Sequence, residues 1–76
     1  MKKGLSQEIQ ERAKAELVLL FSTSHFPYLQ EIFGKDLKPL KGELKGQYRI
    51  KVNNQYRICF KWKDGRPYEI WFNKHY

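Results

Sequence analysis

The alternation of apolar and polar residues divides the chain into an N-terminal helical part and a C-terminal part made of strands. In residues 5–21, apolar residues recur at spacings of three and four, which predicts an amphipathic helix. The apolar stripe consists of Leu5, Ile9, Ala13, Leu17, Leu20 and Phe21. Ser6 is suited to cap the helix N-terminus. Val18 and Leu19 broaden the apolar face, so we expect the C-terminal end of the helix to be its more buried end.

A second, shorter helix is predicted over residues 26–33, with Pro27 in its first turn and Gly34 after its end. The segment that follows, residues 37–46, contains one proline and two glycines, which favour irregular structure, and we expect a loop there. Three lysines lie in this loop: Lys38, Lys41 and Lys45.

Strict alternation in residues 47–52, 56–62 and 68–73 predicts three β-strands. The apolar positions are Tyr48, Ile50, Val52, Tyr56, Ile58, Phe60, Trp62, Tyr68, Ile70 and Phe72. Helices followed by hairpin-connected strands indicate an α+β fold, with one or two N-terminal helices packed on one face of a three-stranded antiparallel β-meander.

The apolar positions also constrain the register of the strands, because directly paired residues in an antiparallel sheet share a face. A three-residue loop over residues 53–55 pairs Ile50 with Ile58, whereas a two-residue loop would pair an apolar side chain with a polar one. Across the second turn, the same rule pairs Lys61 with Glu69 and Arg57 with Asn73. We further expect Arg49 to lie opposite Arg57.

The sheet face away from the helices is predicted to be rich in cations. It carries Arg49, Lys51, Arg57, Lys61, Trp71, Asn73 and, if the strand continues, His75. Two neighbouring arginines repel each other unless an anion lies between them. Either their guanidinium groups splay into water, or this face binds phosphate. Trp71 either stacks a base or covers the edge of the sheet.

The composition favours a polyanionic partner. Fifteen Lys and Arg against eight Asp and Glu give a net charge of +7 in 76 residues, and nucleic acid is the commonest polyanion. We expect a single domain over residues 1–76 and a cytoplasmic protein, because no apolar run approaches the length of a membrane span. Cys59 is the only cysteine, so an internal disulfide and a cysteine metal cluster are excluded.

Residues 37–65, LKPLKGELKGQYRIKVNNQYRICFKWKDG, resemble the HigB-type toxins of the RelE/ParE superfamily. Those toxins carry a Leu-Lys-Gly motif, then Gly-Gln-Tyr-(Ser/Arg)-Ile and Asn-(Asp/Asn)-Gln-(Trp/Tyr)-Arg-Ile-Cys-Phe. Residues 5–17, LSQEIQERAKAEL, resemble the helix that precedes these motifs in the family. Relatives begin with a further strand and helix, which we expect this chain to lack.

The resemblance implies the toxin of a bacterial type II toxin–antitoxin system, a metal-independent, ribosome-dependent mRNA endonuclease without a cofactor. Its partners would be a HigA-like helix-turn-helix antitoxin, the ribosome and mRNA. By position, Lys41 and Arg57 would stabilise charge on the scissile phosphate, which a ribose 2′-hydroxyl attacks. His75 and Tyr76 would transfer protons or stack on a base. The expected RNA-binding residues are Lys38, Lys45, Arg49, Lys51, Lys61, Trp71 and Asn73.

Two alternatives remain open from the sequence. One is a non-catalytic module that keeps the fold and binds antitoxin or RNA. The other is a ParE-like inhibitor of gyrase, since that branch of the superfamily shares the fold. The Gly-Gln-Tyr and Tyr-Arg-Ile-Cys-Phe motifs favour the HigB branch over the second alternative.

Overall fold

The structure, a computed structural model, describes residues 5–74. Two α-helices and four β-strands follow one another along the chain: α1 (Gln7–Leu20), α2 (Phe26–Phe33), β1 (Leu37–Pro39), β2 (Gln47–Lys51), β3 (Tyr56–Lys63) and β4 (Arg66–Lys74). The strands form one antiparallel sheet in the order β1-β2-β3-β4. The predicted α+β fold is confirmed, but the sheet has four strands rather than three.

The additional strand, β1, lies in the segment predicted to be a loop. Its three residues pair with β2, Leu37 opposite Ile50 and Pro39 opposite Tyr48. A strand of this length is too short to show an alternation, and proline is tolerated in it because β1 is an edge strand. The rest of the predicted loop contains a 3₁₀ turn at Gly42–Leu44.

Both predicted helices are present, and α1 is capped as expected. The Ser6 hydroxyl accepts a hydrogen bond from the Ile9 backbone N–H at 3.1 Å, which satisfies one of the free donors of the first turn. The second helix has Pro27 in its first turn and ends before Gly34, whose φ of +55° suits glycine. These local signals therefore placed the helix ends correctly.

The core lies between the helices and one face of the sheet. Its fully buried apolar members are Leu20, Leu29, Ile50, Val52, Ile58 and Phe60. The C-terminal end of α1 is its more buried end, as expected, because the helix's buried residues Glu16 and Leu20 lie there. The predicted broadening of the apolar face is wrong, however, since Val18 is 69% and Leu19 39% exposed. Val18 is two residues from Leu20, about 200° around the helix axis, so it points away from the core. Glu16, not an apolar residue, shares the buried stripe with Leu20.

The hairpin between β2 and β3 has the predicted three-residue loop. Ile50 pairs with Ile58, and the Val52 N–H donates to the Tyr56 carbonyl at 2.9 Å to close the loop. The expected pairing of Arg49 with Arg57 is wrong. A ladder that pairs residue 50 with residue 58 places Arg49 opposite Cys59 and Arg57 opposite Lys51, so the two arginines are diagonal neighbours on one face.

The register between β3 and β4 is only partly as predicted. Arg57 pairs with Asn73, as expected, but the register shifts beyond Cys59, and Lys61 pairs with Tyr68 instead of Glu69. Glu69 has a φ of +49°, an unusual backbone conformation for a residue other than glycine. Such a bulge is not encoded in the alternation of side chains.

Two aromatic residues predicted for the apolar face are more exposed than the rest of that face. The bulge brings Tyr68 opposite Lys61, and Tyr68 is 38% exposed. Phe72 keeps the predicted register opposite Ile58 and stacks on Tyr56 with ring centroids 5.1 Å apart, yet it is 40% exposed. β4 is an edge strand of the sheet, so its side chains have neighbours on one side only.

Candidate nucleic-acid site

A pocket of about 220 Å³ opens on the sheet face opposite the helices. It is lined by Leu40, Leu44, Arg49, Arg57, Cys59, Trp71 and Asn73, and we call it the arginine pocket. None of its lining residues belongs to α1 or α2. The cationic face is therefore open to a ligand, as the phosphate-binding hypothesis requires.

Cross-strand pairing brings most of the predicted RNA-binding residues into two adjacent rows of this face. One row contains Lys38, Arg49, Cys59 and Trp71, and the next contains Lys51, Arg57 and Asn73. Paired residues point to the same face of a sheet, so five side chains predicted to bind RNA and the predicted catalytic Arg57 are grouped there. The sequence predicted the members of this group but not their order.

Both arginines of the pocket are held by backbone carbonyl groups. Arg57 Nη1 donates to the Asn53 oxygen at 2.7 Å and to the Tyr56 oxygen at 3.2 Å, while Arg49 Nη1 donates to the Asp36 oxygen at 3.0 Å. A carbonyl orients a guanidinium group but does not neutralise its charge. Within residues 5–74, neither arginine forms an ion pair with a carboxylate. Each keeps further N–H donors for an anion.

Trp71 lines the pocket, and its orientation is fixed by Gln47, which was not predicted as a site residue. The indole Nε1–H donates to Gln47 Oε1 at 3.0 Å. Because Trp71 lies on β4 and Gln47 on β2, the ring must cross β3 between them. A glutamine in an alternating strand looks like an ordinary solvated residue. The only available signal was that it shares a face with Trp71.

Cys59 pairs directly with Arg49 and with Trp71 in the sheet, and it is only 1% exposed. Burial raises the pKa of its thiol above the usual range, and the nearby charges of Arg49 and Arg57 reduce the rise without cancelling it. The thiol is therefore protonated near neutral pH. A buried, protonated thiol of this kind behaves as a packing residue rather than as a nucleophile.

Lys41 and Lys45 lie beside the arginine pocket rather than in it. Both are exposed and line a neighbouring pocket, which shares the Leu40 side chain with the arginine pocket. Leu40 and Leu44 were not predicted as site residues, because the segment that positions them was expected to be an irregular loop. The structure brings this segment against the edge of the sheet, where the Leu40 N–H donates to the Gln47 carbonyl at 2.9 Å.

Among the cations of this face, Lys61 is the one that has a carboxylate partner within residues 5–74. Its Nζ lies 2.8 Å from Glu69 Oε1, and this hydrogen bond raises the pKa of the lysine. The two residues therefore form an ion pair, although Lys61 is paired with Tyr68 in the sheet rather than with Glu69 as predicted. Lys61 is accordingly less available to an external anion than Arg49 or Arg57. His75 and Tyr76, the remaining predicted catalytic residues, lie outside the described residues.

Similarity to known proteins decides the family. A family model described as the RelE-like toxin HigB of type II toxin–antitoxin systems matches residues 2–75. The chain belongs to the HigB-like toxin family. This confirms the resemblance found in residues 37–65.

One curated relative of this HigB-like chain is Toxin HigB-1 of Vibrio cholerae serotype O1 (strain ATCC 39315 / El Tor Inaba N16961), 40% identical over 42 residues. The matched segment makes up 55% of this chain and 44% of that toxin, so it spans less than half of the relative. Across residues 5–74 of the HigB-like chain, no helix is long and apolar enough to cross a membrane.

Proposed function

We propose that this HigB-like toxin cuts mRNA on the ribosome and so inhibits translation in the cytoplasm. A HigA-like helix-turn-helix antitoxin would neutralise it. The observation that carries the proposal is the arginine pocket, in which Arg49 and Arg57 share an open face without a carboxylate partner among residues 5–74. Holding two uncompensated cations together favours an anionic ligand.

The RNA cleavage that the resemblance implies depends mainly on cations placed at the scissile phosphate. When a ribose 2′-hydroxyl attacks the adjacent phosphate, negative charge grows on the phosphorane oxygens, and donors already in place stabilise it without reorganising. Arg57 meets this demand because two backbone carbonyls orient its guanidinium group before any ligand arrives. Lys41, beside the pocket, supplies a second cation, and His75 and Tyr76 carry the proton transfers.

The surrounding cations serve to hold the RNA backbone. Lys38 pairs with Arg49 and Lys51 with Arg57, so they extend the positive surface beyond the pocket onto β1 and β2. Lys45 lies beside Lys41, and Lys61 contributes less because it is bound to Glu69. Contacts of this kind supply affinity that depends on salt but not on sequence.

The test is to induce the chain in bacteria without antitoxin and to map mRNA 5′ ends. Codon-phased ends that disappear in Arg57→Ala would support the nuclease. Lys14→Ala serves as the matched control, because it removes one exposed charge from α1, on the other side of the sheet. Growth arrest with intact mRNA and damaged DNA would indicate a gyrase inhibitor instead. Intact mRNA with retained antitoxin binding would indicate a non-catalytic module.

A further inference from the structure

The lining of the arginine pocket has an apolar part and a polar part. Its large apolar residues are Leu40, Leu44 and Trp71, and its polar residues are Arg49, Arg57 and Asn73. A pocket for a bare phosphate would not require the apolar part. The combination fits a ligand that joins a flat ring to an anion, as a nucleotide does.

The size of the pocket limits how much of such a ligand it can hold. Its volume of about 220 Å³ lies below the range of about 300–1,000 Å³ that is usual for whole small-molecule ligands. The rows of lysines and arginines continue the positive surface beyond the pocket on β1 and β2. A single unit of a longer polyanion therefore fits better than a free mononucleotide.

The Trp71 ring is both accessible and held in one orientation, as a surface for base stacking must be. It is 38% exposed, although the hydrogen bond to Gln47 holds the ring across the sheet. An aromatic ring that is already fixed loses little conformational freedom when a base stacks on it. Stacking on aromatic side chains is also how single-stranded nucleic acids are commonly bound.

We propose that the arginine pocket binds one nucleotide of single-stranded RNA, with its base stacked on Trp71 and its phosphate on Arg49 and Arg57. Gln47 is a positioning residue that holds the indole in the stacking orientation. Asn73 lies at the wall of the pocket, with an amide that both donates and accepts hydrogen bonds. The inference rests on the proposed function in taking RNA as the polymer, but it concerns binding and not cleavage.

The test compares two probes of equal length and charge: a single-stranded oligouridylate, and an abasic ribose-phosphate oligomer. Dissociation constants are measured by fluorescence anisotropy on the full chain at one salt concentration, without ribosomes. The chain should bind the oligouridylate about 5- to 100-fold more tightly than the abasic oligomer. Trp71→Leu should abolish this preference and leave the affinity for the abasic oligomer unchanged. Trp71→Phe should keep most of it.

Two further variants distinguish stacking from a general loss of structure. Gln47→Leu should reduce the preference, because the indole loses its hydrogen-bond partner. Phe72→Leu is the matched control: Phe72 lies on the same strand and is similarly exposed at 40%, but faces the other side of the sheet. It should keep the full preference. Thermal melts confirm that each variant is folded.

Equal affinity of the unmodified chain for the two probes would overturn the inference, since the pocket would then recognise charge alone. Equal loss of both affinities in folded Trp71→Leu would also overturn it, because the indole would then only shape the phosphate site. Neither result depends on cleavage. The proposed function fails separately, if induced cells show no codon-phased mRNA ends.

Discussion

Glu16 is the most unusual charged residue of the helical layer, and it gives the fold a distinct pH dependence. The residue is 9% exposed, and its Oε1 atom is buried without a hydrogen-bond partner among residues 5–74. The ion pair with Arg12 is long, at 3.6 Å. Burial raises the pKa of Glu16 from 4.5 to about 7; Arg12 opposes this rise, and the negative charge of Asp36 adds to it.

A rise from 4.5 to about 7 corresponds to at most roughly 3–4 kcal/mol, at about 1.4 kcal/mol for each tenfold change in proton affinity. The folded chain holds this proton more tightly than the unfolded chain. The contribution of Glu16 to the free energy of unfolding is therefore greatest below pH 4.5 and is lost as the pH rises through about 7. Between pH 5 and pH 8, we expect a loss of about 2–3 kcal/mol from this residue.

The assay is urea unfolding of the unmodified chain and of Glu16→Gln at pH 5 and pH 8. The amide is neutral at both values, so the variant should lack this loss while the remaining groups titrate as before. Glu11→Gln, an exposed position on the same helix, should retain the full pH dependence. If the unmodified chain and Glu16→Gln lose the same stability between pH 5 and pH 8, the reasoning about the buried carboxyl is refuted.

Three further predictions concern the cap, the core and the cationic face. Ser6→Ala should lower the free energy of unfolding by about 1 kcal/mol, because a backbone N–H of the first helical turn loses its hydrogen-bond partner. Urea unfolding at pH 7 measures this, and an unchanged free energy would show that the Ser6 cap does not stabilise α1. Phe60→Ala should cost about 3–5 kcal/mol by the same measurement, because Phe60 is fully buried, and a cost below about 1 kcal/mol would show that it packs loosely. Lys51→Ala should reduce the slope of log affinity for single-stranded RNA against log salt concentration by about 0.7. Lys14→Ala should leave this slope unchanged. Equal slopes in the two variants would show that RNA does not bind the cationic face at Lys51.

The sequence predicted those parts of the fold that depend on neighbouring residues. Ser6, Pro27 and Gly34 mark helix ends through local hydrogen bonding and backbone preference. The alternation around Ile50 and Ile58 determined the register of the first hairpin. By contrast, β1 depends on its pairing with β2, and the bulge at Glu69 depends on a backbone conformation that side-chain patterns do not report.

The candidate site was predictable to a similar extent. The alternation of side chains along the strands was enough to place Arg49, Arg57, Trp71 and Asn73 on one face. The structure brings them together there. That the two arginines are diagonal neighbours became clear only from the observed pairing of β2 with β3. The contact between Trp71 and Gln47 spans three strands, so it follows from the assembled sheet and from no local pattern.

The central claim, that Arg57 stabilises a phosphate during RNA cleavage, is tested most directly with ribosomes stalled on a defined mRNA in a reconstituted translation system. The measurement is the rate at which the purified chain generates fragments ending in a 2′,3′-cyclic phosphate, compared between the unmodified chain, Arg57→Ala and Lys14→Ala. We expect cleavage by the unmodified chain and by Lys14→Ala, and a rate reduced by about 100-fold or more in Arg57→Ala. Cleavage at an unchanged rate in Arg57→Ala, or no cleavage by the unmodified chain, would contradict the account.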